Sequence, residues 1–164
     1  MSRYVLAALA LCATILHAGG DAKQGAAQKE LKRLEGTWEA VAAVVDGIKQ
    51  VPAKGKGHRL VIQGDAYTLE TSVKPFVKGT LKVDPAKKPH TLDLIPADGG
   101  ASGKPIPCIY ELNGDELRVC VGRIGKARPA EFISKEGSRH ILTTYRRVTP
   151  NNPPDAPPSP GKKQ

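Results

Sequence analysis

Gly36-Thr37-Trp38 closes a short charged segment, KQGAAQKELKRL over residues 23–34, and opens a run of alternating, strand-like residues. The segment before it has helix formers and an apolar stripe at Ala27, Leu31 and Leu34, so one short helix should end at Gly36. After Trp38 no stretch keeps a 3.6-residue period, and a period of two takes over. Val77, Gly79, Leu81 and Val83 fall on one face, with Lys78, Thr80 and Lys82 on the other. Tyr67, Leu69, Thr71 and Val73 alternate in the same way, as do Leu92 with Leu94 and Leu117 with Val119 and Val121.

Turn signals interrupt these runs at Asp46-Gly47, Gly64-Asp65, Asp84-Pro85, Asp98-Gly99-Gly100, Asn113-Gly114 and Glu136-Gly137. The spacing predicts strands over residues 37–45, 58–63, 66–73, 76–83, 90–95, 105–112, 116–122, 130–133 and 139–148. A meander of short strands, each apolar on one side, loses its exposed edges most simply by closing. The expected fold is therefore all-β, an antiparallel barrel of about eight strands with a short N-terminal helix. An open sandwich is the alternative.

Two ends fall outside that domain, which spans residues 23–148. Residues 1–18 carry one positive charge, Arg3, then an apolar run and small residues at Ala18, Gly19 and Gly20. This is the layout of a Sec signal peptide, too short to span a membrane, with cleavage after Ala18 or as late as Ala22. The chain is then exported, to a periplasmic or extracellular location. Lipoprotein anchoring at Cys12 is the less favoured alternative, because Leu11 is large for the position next to the cut. Residues 149–164 hold six of the chain's 14 prolines and no large apolar residue, the composition of a disordered tail.

The formal charge is +9, and removal of Arg3 with the leader lowers it to about +8. The lysines are dispersed and aromatics make up 4% of residues, which argues against a nucleic-acid groove. A basic exterior still suits an anionic envelope component as a partner. Among the loops, Arg123, Lys126 and Arg128 concentrate cations and are the candidate anion contact. Asp98 and Pro105 stand where a phosphate-binding loop needs glycine and Ser or Thr.

Several chemistries lack their residues. His58, His90 and His140 have no ligand-type partner at short spacing, so no metal or cofactor is expected. Asp84, Asp93, Asp98, Glu111, Asp115 and Glu116 nominate no catalytic pair, and no nucleophile elbow occurs. Beyond the leader, Cys108 and Cys120 flank the Asn113-Gly114 hairpin. Parity sets Cys108 inward with Tyr110 and Cys120 outward with Arg118, which predicts free thiols rather than a disulfide. A bulge at the turn would reset that parity.

Several blocks agree in order with a known family: 34–38 (LEGTW), 64–69 (GDAYTL), 84–89 (DPAKKP), 91–94 (TLDL), 109–117 (IYELNGDEL) and 128–132 (RPAEF). Across residues 31–148 the chain resembles an uncharacterised lipocalin-like domain family abundant in planctomycete bacteria. The resemblance implies a calycin-type barrel, usually exported, with no established activity. It also implies a plug for the closed end, built from Gly36, Trp38 and an arginine of the last strand. The family pattern favours Arg147 over Arg146 for that arginine.

A barrel of this size is expected to be a non-enzymatic binder of a small apolar or amphipathic ligand. Tyr67, Leu69, Val77, Leu81, Leu94 and Tyr110 are the expected lining, and Ala40, Ala42, Gly79 and Ala130 the small inward residues that would leave a hollow. The alternative is a structural or protein-interaction module of the cell envelope with a filled core.

Overall fold

A computed structural model describes residues 18–52, 58–70 and 77–149. Among these residues helix α1 (Ala18–Leu34) leads into nine strands: β1 (Gly36–Val45), β2 (Ile48–Gln50), β3 (Arg59–Gln63), β4 (Ala66–Glu70), β5 (Val77–Asp84), β6 (His90–Pro96), β7 (Ile106–Asn113), β8 (Glu116–Val121) and β9 (Ile141–Arg147). β1 pairs antiparallel with β3, each strand from β3 to β8 pairs antiparallel with the next, and β9 returns to pair with β1. Eight strands thus close into a barrel, and β2 is a three-residue flap on the far half of β1.

The alternation read from the sequence is the alternation of the wall. Trp38, Leu60, Tyr67, Leu81, Leu92, Tyr110, Leu117 and Tyr145 face inward and form the core. Leu31 and Leu34 of α1 pack against the same core from one end, tied further by a Lys23–Asp84 ion pair at 3.0 Å.

Four readings need correction. The helix begins at Ala18 rather than residue 23. Ala42 is exposed, because a bulge between Ala40 and Ala42 shifts the register against β9 and turns Ala43 inward in its place. Gly79 does not leave a hollow. A Cβ there would lie 2.1 Å from the Ile95 carbonyl oxygen and 2.7 Å from the Tyr67 ring, so the missing side chain is what lets Tyr67 lie against β5.

The fourth concerns residues 130–133, which form no strand; Ala130 is exposed. Instead residues 122–140 run as a strap across the outside of the wall. Arg128 donates to the carbonyls of Leu92 (2.8 Å) and Cys108 (2.6 Å) and pairs with Asp93 at 2.7 Å. Phe132 lies under Arg118, 5.0 Å from ring centroid to guanidinium carbon. Ser134 is buried, donates to the His140 carbonyl at 2.7 Å and receives the Gly47 amide at 3.4 Å.

The strap explains both cysteines. Cys108 faces the core, and Cys120 sits on the opposite face, opposite Ile109. Parity therefore ran as expected, but Cys120 is as buried as Cys108 because the strap covers it, with Ile133 O 3.7 Å from its sulfur. Both thiols are free. Burial pushes Cys108 up to about 12 and raises Cys120 in the same direction. Neither thiol should react with Ellman's reagent at neutral pH in the folded protein, while both should titrate at once in guanidinium. Rapid labelling of Cys120 in the native state would show that the strap opens readily.

Residues 1–17 of the expected leader (1–18) and the tail from residue 150 onward lie outside the described residues, as do residues 71–73 of the strand expected over 66–73. Among the described residues, no helix is long and apolar enough to cross a membrane.

Candidate functional site

The closed end of the barrel is built from the two ends of the domain. Trp38 is fully buried, and its indole N–H donates to the Leu34 carbonyl at 2.8 Å, which satisfies one of the last carbonyls of α1. The Arg147 guanidinium lies over the indole, 4.0 Å from the ring centroid. Its Nη2 donates to the Arg33 carbonyl at 2.7 Å, its Nη1 to the Glu35 carbonyl, and its Nε faces Asp115 at 3.2 Å. Gly36 has φ +125°, and a Cβ there would stand 2.9 Å from Arg147 Nη1. Gly36, Trp38 and Arg147 are thus brought together. The arrangement is a floor, with its polar groups engaged in structural bonds.

Above the floor lies an apolar shaft of about 60 Å³. Five of the expected lining residues reach it: Tyr67, Leu69, Leu81, Leu94 and Tyr110. Val77 packs against the core without lining the shaft. Leu34 of α1, Leu60 and Ile62 of β3, Leu92 of β6, Leu117, Val119 and Val121 of β8 and Tyr145 of β9 complete the wall among the described residues. The β8 residues were already legible from their alternation. The β3 pair lay in a short run where Arg59 and Gln63 leave too few positions for a period to stand out.

The volume decides what the shaft can hold. Ligand pockets for drug-sized molecules are roughly 300–1,000 Å³, and an engineered apolar cavity of about 150 Å³ admits benzene. At about 60 Å³ the shaft is smaller than either, so most of the barrel interior is filled by its own side chains. The small inward residues expected to hollow it out fail for the reasons given above, except Ala40.

The phenols remain neutral donors at physiological pH. Burial pushes Tyr67 and Tyr145 up to about 12. Tyr110 is driven higher still, first by desolvation and then by the nearby Glu30 carboxylate. Glu30 is a buried acid on α1, and one oxygen pairs with Arg33 at 2.8 Å. Its other oxygen bears on the Tyr110 hydroxyl, and both atoms are buried at the floor end.

The remaining candidates are dispersed. Arg123 and Lys126 are exposed in the turn that begins the strap, while Arg128 is engaged with Asp93 and two carbonyls. The three cations therefore do not converge as one group. His90 stands beside Tyr110, with ring centroids 5.4 Å apart, and His58 and His140 precede β3 and β9. Among the described residues no group of three or more His, Cys, Asp or Glu is placed to hold a metal ion.

What this geometry defines is a closed antiparallel barrel with a sealed floor and a narrow apolar interior. No family model, no curated protein and no solved structure matches the chain.

Proposed function

We propose that the protein is an exported, non-enzymatic binding module of the lipocalin-like kind, which holds a small apolar or amphipathic guest by its end. The observation that carries this reading is the shaft, whose described lining residues are aliphatic apart from three tyrosines. Its volume limits the guest to a short apolar tip inside, with the remainder at the open end of the barrel. The leader-like residues 1–18 and the resemblance of residues 31–148 to lipocalin-like domains support export and the class. Basic loops such as that of Arg123 and Lys126 suit an anionic envelope component as a further contact.

The same small volume favours a second reading, a filled-core structural or interaction module whose contacts are made by its loops. Native mass spectrometry of the protein purified from its own source separates the two. An adduct of defined mass, lost on denaturation, is expected for the binding module. A bare mass under the same conditions would move the assignment to the filled-core module.

A further inference from the structure

A second hollow opens where β1 parts from β3. The two strands pair from Gly36 to Glu39, and from Ala43 onward β1 takes β2 as its neighbour on that side. The fork leaves a pocket of about 190 Å³. Its wall consists of small or apolar Ala40, Ala43, Val51 and Pro52, and of three hydrogen-bonding side chains, Gln50, His58 and Thr143.

The register places this pocket directly above the shaft. Ala40 lies opposite Tyr145 and Ala43 opposite Thr143 on the paired strands β1 and β9. Thr143 is two residues from Tyr145 along β9, and His58, just ahead of β3, is two residues from Leu60 and accepts the Ala40 amide at 2.8 Å, so each pair shares a face. Tyr145 and Leu60 line the shaft, whereas Thr143 and His58 line the pocket. The two hollows are therefore successive storeys of the same wall, about 7 Å apart along the strands.

Their chemistry differs in a directed way. The lower storey is apolar. The upper one offers an amide N–H₂, an imidazole and a hydroxyl, and no acidic side chain is among its described lining residues. Each of these groups can donate to a carboxylate oxygen, and with no acidic side chain among the described lining residues the pocket gives an ammonium no counter-charge. Gln50 and His58 are exposed, so an anionic head placed there keeps part of its hydration and avoids the full cost of burial.

We propose that this pocket receives the carboxylate of a small aliphatic acid whose hydrocarbon tip enters the shaft. The inference rests on the binding-module reading and names the class of guest for that module.

Titration calorimetry of the purified chain with butanoate, hexanoate, octanoate, hexanol and hexylamine tests it. At least one of the acids should bind, and hexanoate should bind about tenfold more tightly than the alcohol or amine of equal length. His58→Ala should remove most of that preference. Ala43→Leu, which fills the pocket, should weaken every acid. His58 is exposed, so its variant stays informative where Ala43→Leu fails to fold. Equal affinity for acid, alcohol and amine overturns the head-group assignment and leaves the binding module standing, as does an acid preference that survives His58→Ala combined with Gln50→Ala. Absence of binding by all five probes to natively folded protein overturns both.

Discussion

Replacing Trp38 with alanine is expected to lower the stability of the barrel by about 3–5 kcal/mol. The residue has no solvent exposure, and it is the largest side chain in the core. Its removal leaves a cavity at the floor, where α1, β1, β3 and β9 meet and cannot all relax inward together. The Leu34 carbonyl also loses the indole N–H that satisfies it, which adds to the cavity cost. Domains of this size have total stabilities of roughly 5–15 kcal/mol, so the variant should be marginal or unfolded at room temperature. Urea denaturation followed by far-ultraviolet circular dichroism measures the loss, a readout that does not depend on the chain's single tryptophan. Trp38→Phe should fall between parent and alanine variant, because it keeps most of the volume and forfeits the hydrogen bond. An alanine variant that melts with the parent would mean that Trp38 is no plug.

Arg147→Met should cost about 2–4 kcal/mol, a large effect for a residue at the rim of the core. The guanidinium acts as a planar stopper. One face covers the indole while two of its nitrogens hold carbonyls of the chain between α1 and β1. Lysine has the charge without the fork, so Arg147→Lys should recover less than half of the loss. The ion pair with Asp115 contributes little by comparison, because that carboxylate is 67% exposed and screened by water. Asp115→Asn is therefore expected to change stability by at most about 0.5 kcal/mol. A double-mutant cycle between Trp38→Phe and Arg147→Met should show coupling of about 0.5–3 kcal/mol. Strict additivity would mean that the stacked pair acts as two independent residues.

The parts of this protein legible in its sequence are those governed by local rules. Alternation from Val77 to Val83 and from Leu117 to Val121 reports burial on one face, and the same alternation assigned Cys108 and Cys120 to opposite faces. Where a second layer intervenes, the rule misleads. Residues 130–133 read as a strand because Phe132 and Ile133 are apolar, yet Phe132 packs on Arg118 outside the wall and belongs to no ladder. Strand β2 escaped notice because Ile48, Lys49 and Gln50 are all exposed and leave no burial pattern. The bulge at Ala40–Ala42 has no signature among alanines and valines, and it alone exchanges Ala42 for Ala43 on the inner face. Interior volume was the least legible quantity. It depends on how Tyr67 leans over Gly79, a relation between two strands that no single strand contains.

The barrel's seam joins the first strand to the last, and the arginine that completes the floor contacts a carbonyl 114 residues earlier in the chain. A growing polypeptide therefore has no means of finishing the structure before β9 emerges. Until then β1 and β8 each present a raw border able to recruit a foreign strand. Closure over such sequence distance is slow to initiate, so the vulnerable interval belongs to biosynthesis rather than to the mature protein. A gene product ending ahead of residue 141 would remain in that interval permanently, and its fate would be clumping or degradation rather than a smaller working barrel.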